Sequence, residues 1–466
     1  MKITKKEKEI TMAKILKGLK PRDFEGLFIS ILAILILNLF DIKVLQSFNE
    51  FILLIFIWYF VIELLIKNIY HFRLHYIYRF TFYFLFLLGI LTTYPIIDRF
   101  GFVFSPFLIT SLLLTLLMSY EVGITAGILQ SLMISFHLAN FVIFIYFVPQ
   151  IIFMNFLIRN INRRIEIAKA ALFTSFLSII ILFLQPTYFN FYNFFVAFFN
   201  PFVSTVLILG FLPYIEYFTR IYSNIGLSEL ANMNHPLLKK LSIQAPGTYY
   251  HSIMVATLAE AAAERIGINS TFARVASYFH DIGKIKRPYF FVENLTNTDE
   301  NPHEKISPFL SHIILEDHIK SGIELARKYK LPLRIEFIIP QHHGTRVQKY
   351  FYYKAKELDP ETSEEAFKYP GPKPQFKEAG IIMLADSVEA ALKSISSSNY
   401  QTIKEVVEDI VSGVYNERQL DESGLNLREL ELIVEEFIKV IINIKKERIK
   451  YPKEDIQRVV QVNDIQ

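Results

Sequence analysis

Eleven histidines occur in the 466-residue chain, and eight of them fall between His235 and His343. Across that stretch and just beyond it runs an ordered series: His251, the adjacent pair His280-Asp281, His318, the adjacent pair His342-His343, and Asp386. Imidazole nitrogens and carboxylates suit iron, manganese or zinc without help from sulfur. The chain contains no cysteine, which excludes disulfides, thiolate metal sites and cysteine nucleophiles. Seven ligands are too many for one ion and enough for two, if one carboxylate bridges. Neighbouring residues on a helix do not share a face. In each adjacent pair, at a helix end, this lets one residue bind a single metal while the other bridges. Asp386 lies in an apolar, small-residue stretch (GIIMLADSVEAAL), where a carboxylate is costly to bury without a partner such as a metal.

Helices must carry these residues. The Ala-rich stretch 251–266 has an amphipathic pattern, with Gly247 and Thr248 expected as a turn and N-cap before it. A second helix is expected over 270–281, stopping at Gly283. Others are expected over 316–330, 333–343, 376–397, 401–414 and 426–448. The segments 286–312 and 357–375, rich in Pro and polar residues, read as loops. No strand alternation and no internal repeat is evident, so this half of the chain reads as an all-α domain.

The other half is of a different kind. Apolar residues make up 52% of the chain, and they are concentrated before about residue 219. Eight apolar spans are expected, at 26–46, 49–67, 80–98, 102–119, 122–137, 138–158, 168–184 and 191–217; the stretch 122–158 alternatively forms one span and a re-entrant piece. Several are shorter than the roughly 20 residues that cross a bilayer core. Lys67, Arg73 and Arg79 mark one interspan segment as cytoplasmic, and Arg159, Arg163, Arg164 and Lys169 mark another. With eight crossings these loops, the N-terminus and the C-terminal half share the cytoplasmic side. The segment after Glu121 should also be inside and has no basic residue. Glu63 falls within a span near its cytoplasmic end, where it can reach the interface, and Asn200-Pro201 reads as a kink. The expected fold class is all-α: a polytopic helical membrane domain followed by a cytoplasmic helical domain. Its parts are a basic N-terminus (1–25), the multispan domain (26–217), a helical connector (218–234), the metal-bearing domain (235–450) and a tail (451–466). A net charge of +4 gives no reason to expect a nucleic acid polymer as partner.

HDIGK at 280–284, with a His before it and a His, an HH pair and an Asp after it, resembles the HD phosphohydrolase superfamily. NHPLLKKL (234–241), APGTYYHSIMVATLAEAAAE (245–264), HDIGKIKRPYFFVEN (280–294), QHHGT (341–345) and YPGPKPQFKEAGIIMLADSVEAA (369–391) are similar to the seven-transmembrane HD family. That resemblance implies a multi-pass plasma-membrane protein whose HD domain hydrolyses cyclic di-AMP to linear pApA with two divalent ions, manganese or iron. It implies that His251, His280, Asp281 and Asp386 hold one ion and that Asp281, His318, His342 and His343 hold the other. His312 and Asp317 lie close to the third position, and the distance to the HH pair in the family favours His318. Family members usually carry a large extracellular domain between the first two spans; here only about residues 41–50 separate them.

Lys284, just after the HD pair, is the expected phosphate contact and joins Asp281 as a catalytic candidate. His303, Arg287 and Arg346 are weaker phosphate candidates, and the aromatic run 289–291 could stack on a base. Competing readings are a cyclic di-GMP phosphodiesterase, against which the missing GYP tripeptide counts, a nucleotide receptor without turnover, and a transporter with an HD regulator. The sequence leaves the oligomeric state open, a homodimer included.

Overall fold

The computed structural model describes residues 76–295, 300–393 and 399–445. The spans expected at 26–46 and 49–67, Glu63, Lys67, Arg73 and the two terminal segments lie outside these residues. The chain divides into two compact units after Gly226. Helix dominates both. The sole pairing of extended backbone among the described residues is an isolated bridge between Val347 and Lys368.

The first unit contains α1 (Tyr76–Phe100), α2 (Leu108–Leu117), α3 (Tyr120–His137), α4 (Val142–Ile158), α5 (Arg164–Phe183) and α6 (Phe191–Thr219). Among them α1, α5 and α6 are long and apolar enough to cross a membrane by length and composition. Their outward faces are apolar, with Phe173, Phe176, Ile180 and Phe183 on α5 and Val203 and Val206 on α6 all exposed. The inside is apolar as well, with polar groups set among its buried side chains. Asn155 bonds to Ser111 and Thr115, and Ser178 donates to Gln150, the kind of interhelical bonding that holds helices together where lipid supplies no hydrophobic drive.

The expected 102–119 span is interrupted here. A 3-10 turn at Phe102–Phe104 precedes α2, and Asn200 donates to the carbonyls of Val103 and Ser105 at 2.7 and 2.9 Å. Its amide satisfies backbone acceptors that the break leaves without helical partners. The stretch 122–158 forms two separate helices, α3 and α4, of 18 and 17 residues.

The second unit is built from α8 (Pro236–Gln244), α9 (Pro246–Arg265), α10 (Ser270–Phe279), α11 (Pro308–Lys328), α12 (Leu333–Gln341), α13 (Lys349–Leu358), α14 (Lys377–Lys393), α15 (Tyr400–Asn416) and α16 (Leu427–Lys445). A short helix, α7 (Asn224–Leu230), precedes them. The expected 218–234 connector is thus only partly helical, because Arg220 sits in the left-handed region at φ 56° and ends α6.

Helix α9 is the central element and packs against α10, α14 and α16. Its Ala256, Ala259, Ala262 and Ala263 are buried, and such small side chains let neighbouring helices approach closely. It starts earlier than expected. Pro246 occupies the first turn, where a fixed φ and a missing N–H cost nothing, so Thr248 lies inside the helix instead of capping it. Helix α11 likewise begins within the expected 286–312 loop, capped by Ser307 with Pro308 at its first position.

Candidate metal centre

His280 caps the C-terminus of α10, one residue short of the expected end, and Asp281 opens a 3-10 segment, Ile282–Lys286, packed against α11. Gly283 makes that contact close. A Cβ built there would lie 1.8 Å from the His318 carbonyl oxygen and 2.6 Å from the Gly322 nitrogen. Any side chain at 283 would push α11, and with it His318, away from Asp281. At the end of α12, His342 and His343 precede Gly344, which adopts φ +57° and turns the chain. Asp386 is fixed from the opposite side by α14, whose Ile381, Ile382, Met383, Leu384 and Val388 are fully buried. Each such burial stabilises the helix's position by roughly 1.5–3 kcal/mol.

The seven expected residues converge. Asp281, His318, His342 and His343 present ligand atoms within 4.8 Å of one another, as do His251, His280 and Asp281, and His280, His342 and Asp386. Asp281 divides its two oxygens between these groups. Oδ1 lies 3.5 Å from Nε2 of both His318 and His342, whereas Oδ2 lies 3.6 Å from Nε2 of His251 and 3.3 Å from Nε2 of His280. Asp386 Oδ1 is 2.9 Å from His251 Nε2. His312 and Asp317 stand apart, engaged with Glu316 and Lys286.

The imidazoles are oriented from behind. His251 Nδ1 donates to Glu389 Oε2 at 2.5 Å, His280 Nδ1 to the Ser277 carbonyl at 2.7 Å, and His318 Nδ1 to the Leu315 carbonyl. Such bonds fix the tautomer and aim Nε2 forward. His343 is held differently, its ring stacked on Tyr369 with centroids 4.2 Å apart and planes 11° apart.

Whether a metal fits is answered by the atoms left over. Nε2 of His280, His318 and His342 and Oδ1 of Asp281 are buried and have no hydrogen-bond partner. Each orphaned group costs about 1–3 kcal/mol, and orphaned nitrogen and carboxylate donors facing one another are what a cation would satisfy.

Electrostatics divide the site. Burial pulls His251 and His280 down, but the facing carboxylates outweigh it, Asp386 and Glu389 for the first and Asp281 and Asp386 for the second. Both imidazoles are raised, His280 to about 10, so a cation there must displace their protons. Burial pushes the Asp281 carboxyl up, but Lys284 and His280 outweigh it and hold the group well below the usual carboxylate range. Asp386 is likewise held low by His251 and His280 against its own burial. Burial pulls His318 down to about 4, and burial together with the neighbouring His342 and His318 holds His343 low. Both carboxylates are therefore ionised and both of these imidazoles neutral at neutral pH, the forms that bind metal.

Lys284 does not stand free. Its ammonium is shared between Asp281 and Glu293, and it lies over the Phe291 ring. Arg346 pairs with Glu417 and donates to Ser387, and His303 contacts the Phe290 carbonyl. Tyr289 is largely exposed and Phe291 buried.

Two family models match the chain. The HD domain covers residues 248–391, and the 7TM receptor with intracellular HD hydrolase covers residues 41–223. The chain belongs to the seven-transmembrane HD family. Cyclic-di-AMP phosphodiesterase PgpH of Bacillus subtilis is 42% identical over 322 residues, which are 67% of this chain and 45% of that protein. The protein of the same name from Listeria monocytogenes is 43% identical over 256 residues, 55% of this chain and 36% of its own. The chain thus spans less than half the length of these curated relatives. The crystal structure of the L. monocytogenes PgpH HD domain in complex with cyclic-di-AMP is 44% identical, with a TM-score of 0.44, and covers 47% of this chain and 100% of its own. The HD match begins three residues before His251 and ends five after Asp386, so all seven converging residues fall inside it.

Glu389, Glu293 and Tyr369 are the site's neighbours that sequence reasoning misses. Glu389 has a readable signal, since it lies three residues after Asp386 and so on the same helical face.

Proposed function

We propose that this chain is a metal-dependent phosphodiesterase that hydrolyses cyclic di-AMP to linear pApA, using two divalent cations, manganese or iron. The observation that carries this reading is the Asp281 carboxylate, each of whose oxygens faces a different pair of histidines. That is the arrangement of a carboxylate shared between two ions. His251, His280, Asp281 and Asp386 would hold one ion, and Asp281, His318, His342 and His343 the other. The choice of cyclic di-AMP rests on two relatives of 42% and 43% identity that bear that activity in their names.

Two ions held here supply Lewis acidity toward phosphoryl oxygens and activate water at neutral pH. The chain's own contribution is preorganisation. Glu389, Ser277 and Leu315 aim three imidazoles, so no reorientation accompanies charge development on the phosphate. Lys284 keeps Asp281 anionic and places a positive charge at the edge of the site, which makes it the proposed phosphate contact. The domain is assigned to residues 235–450 and to the cytoplasmic side of the plasma membrane, on the basic loop Arg159, Arg163, Arg164 and Lys169.

The test is turnover by the full chain in detergent, with manganese, on cyclic di-AMP and cyclic di-GMP side by side. The double variant His280→Ala, Asp281→Ala is the blank. Cleavage of cyclic di-AMP to pApA above the blank supports the proposal. Preference for cyclic di-GMP replaces the substrate, and binding without cleavage of either turns the chain into a nucleotide receptor.

A further inference from the structure

The three imidazoles held from behind are not held alike. His280 and His318 donate Nδ1–H to main-chain carbonyls, which are neutral, whereas His251 donates to a carboxylate. Glu389 is 7% exposed and lies one helical turn beyond Asp386 on α14. Helix α14 therefore brings two carboxylates to His251, Asp386 at 2.9 Å from Nε2 and Glu389 at 2.5 Å from Nδ1. On the other side of Asp281, His343 has only the face of Tyr369 behind it. An anionic acceptor behind an imidazole raises its basicity as a ligand, and loss of such a partner typically costs 10- to 100-fold in metal affinity.

We infer that Glu389 is a positioning residue that makes the ion position at His251 and Asp386 bind more tightly than the position at His318, His342 and His343. The inference rests on the two-ion reading above. It adds an order of loading: the His251 position fills first, and the second position sets the metal concentration at which the site becomes complete. Lys393 moderates the effect, because its ammonium lies 3.0 Å from the same Glu389 oxygen and 3.5 Å from His251 Nδ1.

The experiment is titration of the metal-stripped full chain in detergent with Mn2+ alone, read by bound manganese and by calorimetry. Wild type should load two ions in separable steps. Glu389→Gln keeps the side chain's shape and removes its charge. It should weaken the tighter step about 10- to 100-fold, leave the weaker step within about twofold, and leave the melting of the metal-free protein unchanged. Equal weakening of both steps, or no change in the tighter one, overturns the inference. Should Glu389→Gln fail to fold, Lys393→Met decides. Freeing the Glu389 charge should tighten the first step by about two- to fivefold, and an unchanged or weakened first step overturns the proposal. A wild-type chain that takes up no manganese overturns the two-ion reading itself, and this inference with it.

Discussion

The ammonium of Lys284 lies 2.7 Å from Asp281 Oδ2 and 2.8 Å from Glu293 Oε1, so a single cation is shared by two carboxylates at the border of the metal centre. Only 12% of its side chain is exposed. Burial works against that charge, and the two carboxylates more than restore it, holding the lysine above its ordinary value. Lys284→Met leaves both acids unneutralised. Turnover should fall roughly 10²-fold, the scale for removing one preorganised electrostatic contact, while bound manganese stays near wild type. Full turnover at unchanged metal content would remove Lys284 from the catalytic set.

Asp281 is the residue on which both ions depend. Asp281→Ala should abolish turnover and lower metal content from two ions toward none, measured by elemental analysis of the purified chain. If instead two ions remain and activity is retained, the shared-carboxylate arrangement is wrong.

Gly283 tests whether backbone approach sets the site. Alanine there must displace the His318 carbonyl, a backbone atom that cannot swing aside. Gly283→Ala should destabilise the second unit by about 1–3 kcal/mol, the usual cost of overpacking, and should lower metal affinity as well. Thermal unfolding with and without manganese separates the two effects. Wild-type melting in both would mean that α11 shifts freely.

Tyr369 supports His343 through ring stacking alone. Tyr369→Leu removes an aromatic pair worth roughly 0.5–1.5 kcal/mol, and the second manganese step should weaken by about two- to tenfold. Selective loss at the first step instead would reverse the assignment of the two positions.

Glu417 gives an acid dependence away from the metal. Burial raises its carboxyl, but Lys349 and Arg346, at 2.7 and 2.8 Å, outweigh burial and hold it below the usual value. A depressed folded pKa contributes stability that is fully present above the unfolded value near 4.5 and is lost as pH falls through the folded value. The difference in melting temperature between wild type and Glu417→Gln should therefore be flat near neutrality and shrink as the pH drops below about 4.5. A difference that stays constant on acidification would mean that the pair contributes through packing and not through charge.

The ligand set is legible in the sequence because the chemistry is narrow. With cysteine absent, His and Asp are the remaining strong candidates, and their clustering marks the site before any geometry is known. The residues behind the ligands are harder to see. Glu389 shares a helical face with Asp386, but its partner His251, 138 positions away, is visible only in the fold. Tyr369 sits in a Pro- and Gly-rich loop whose path no periodicity encodes. Lys284 reads as a free point charge because its partner Glu293 lies in a segment expected to be loop. Among the elements, the start of α9 is misread because Gly247 and Thr248 look like a turn and a cap. That of α11 is misread because Pro308 falls in a Pro-rich stretch that looks like loop, whereas proline at the first helical position is where a helix begins. Helix α13 escapes notice because its aromatic and lysine residues mask the small buried face of Phe351 and Ala355.

Six of the seven converging residues lie before Gly344, and the seventh, Asp386, arrives only with α14, after the long 357–375 stretch. A ribosome that has released the chain as far as that stretch has made an HD motif that lacks one carboxylate and the glutamate behind His251. The nascent protein therefore cannot assemble the complete centre until α14 has emerged and docked. An intact site thus certifies that translation has passed residue 389.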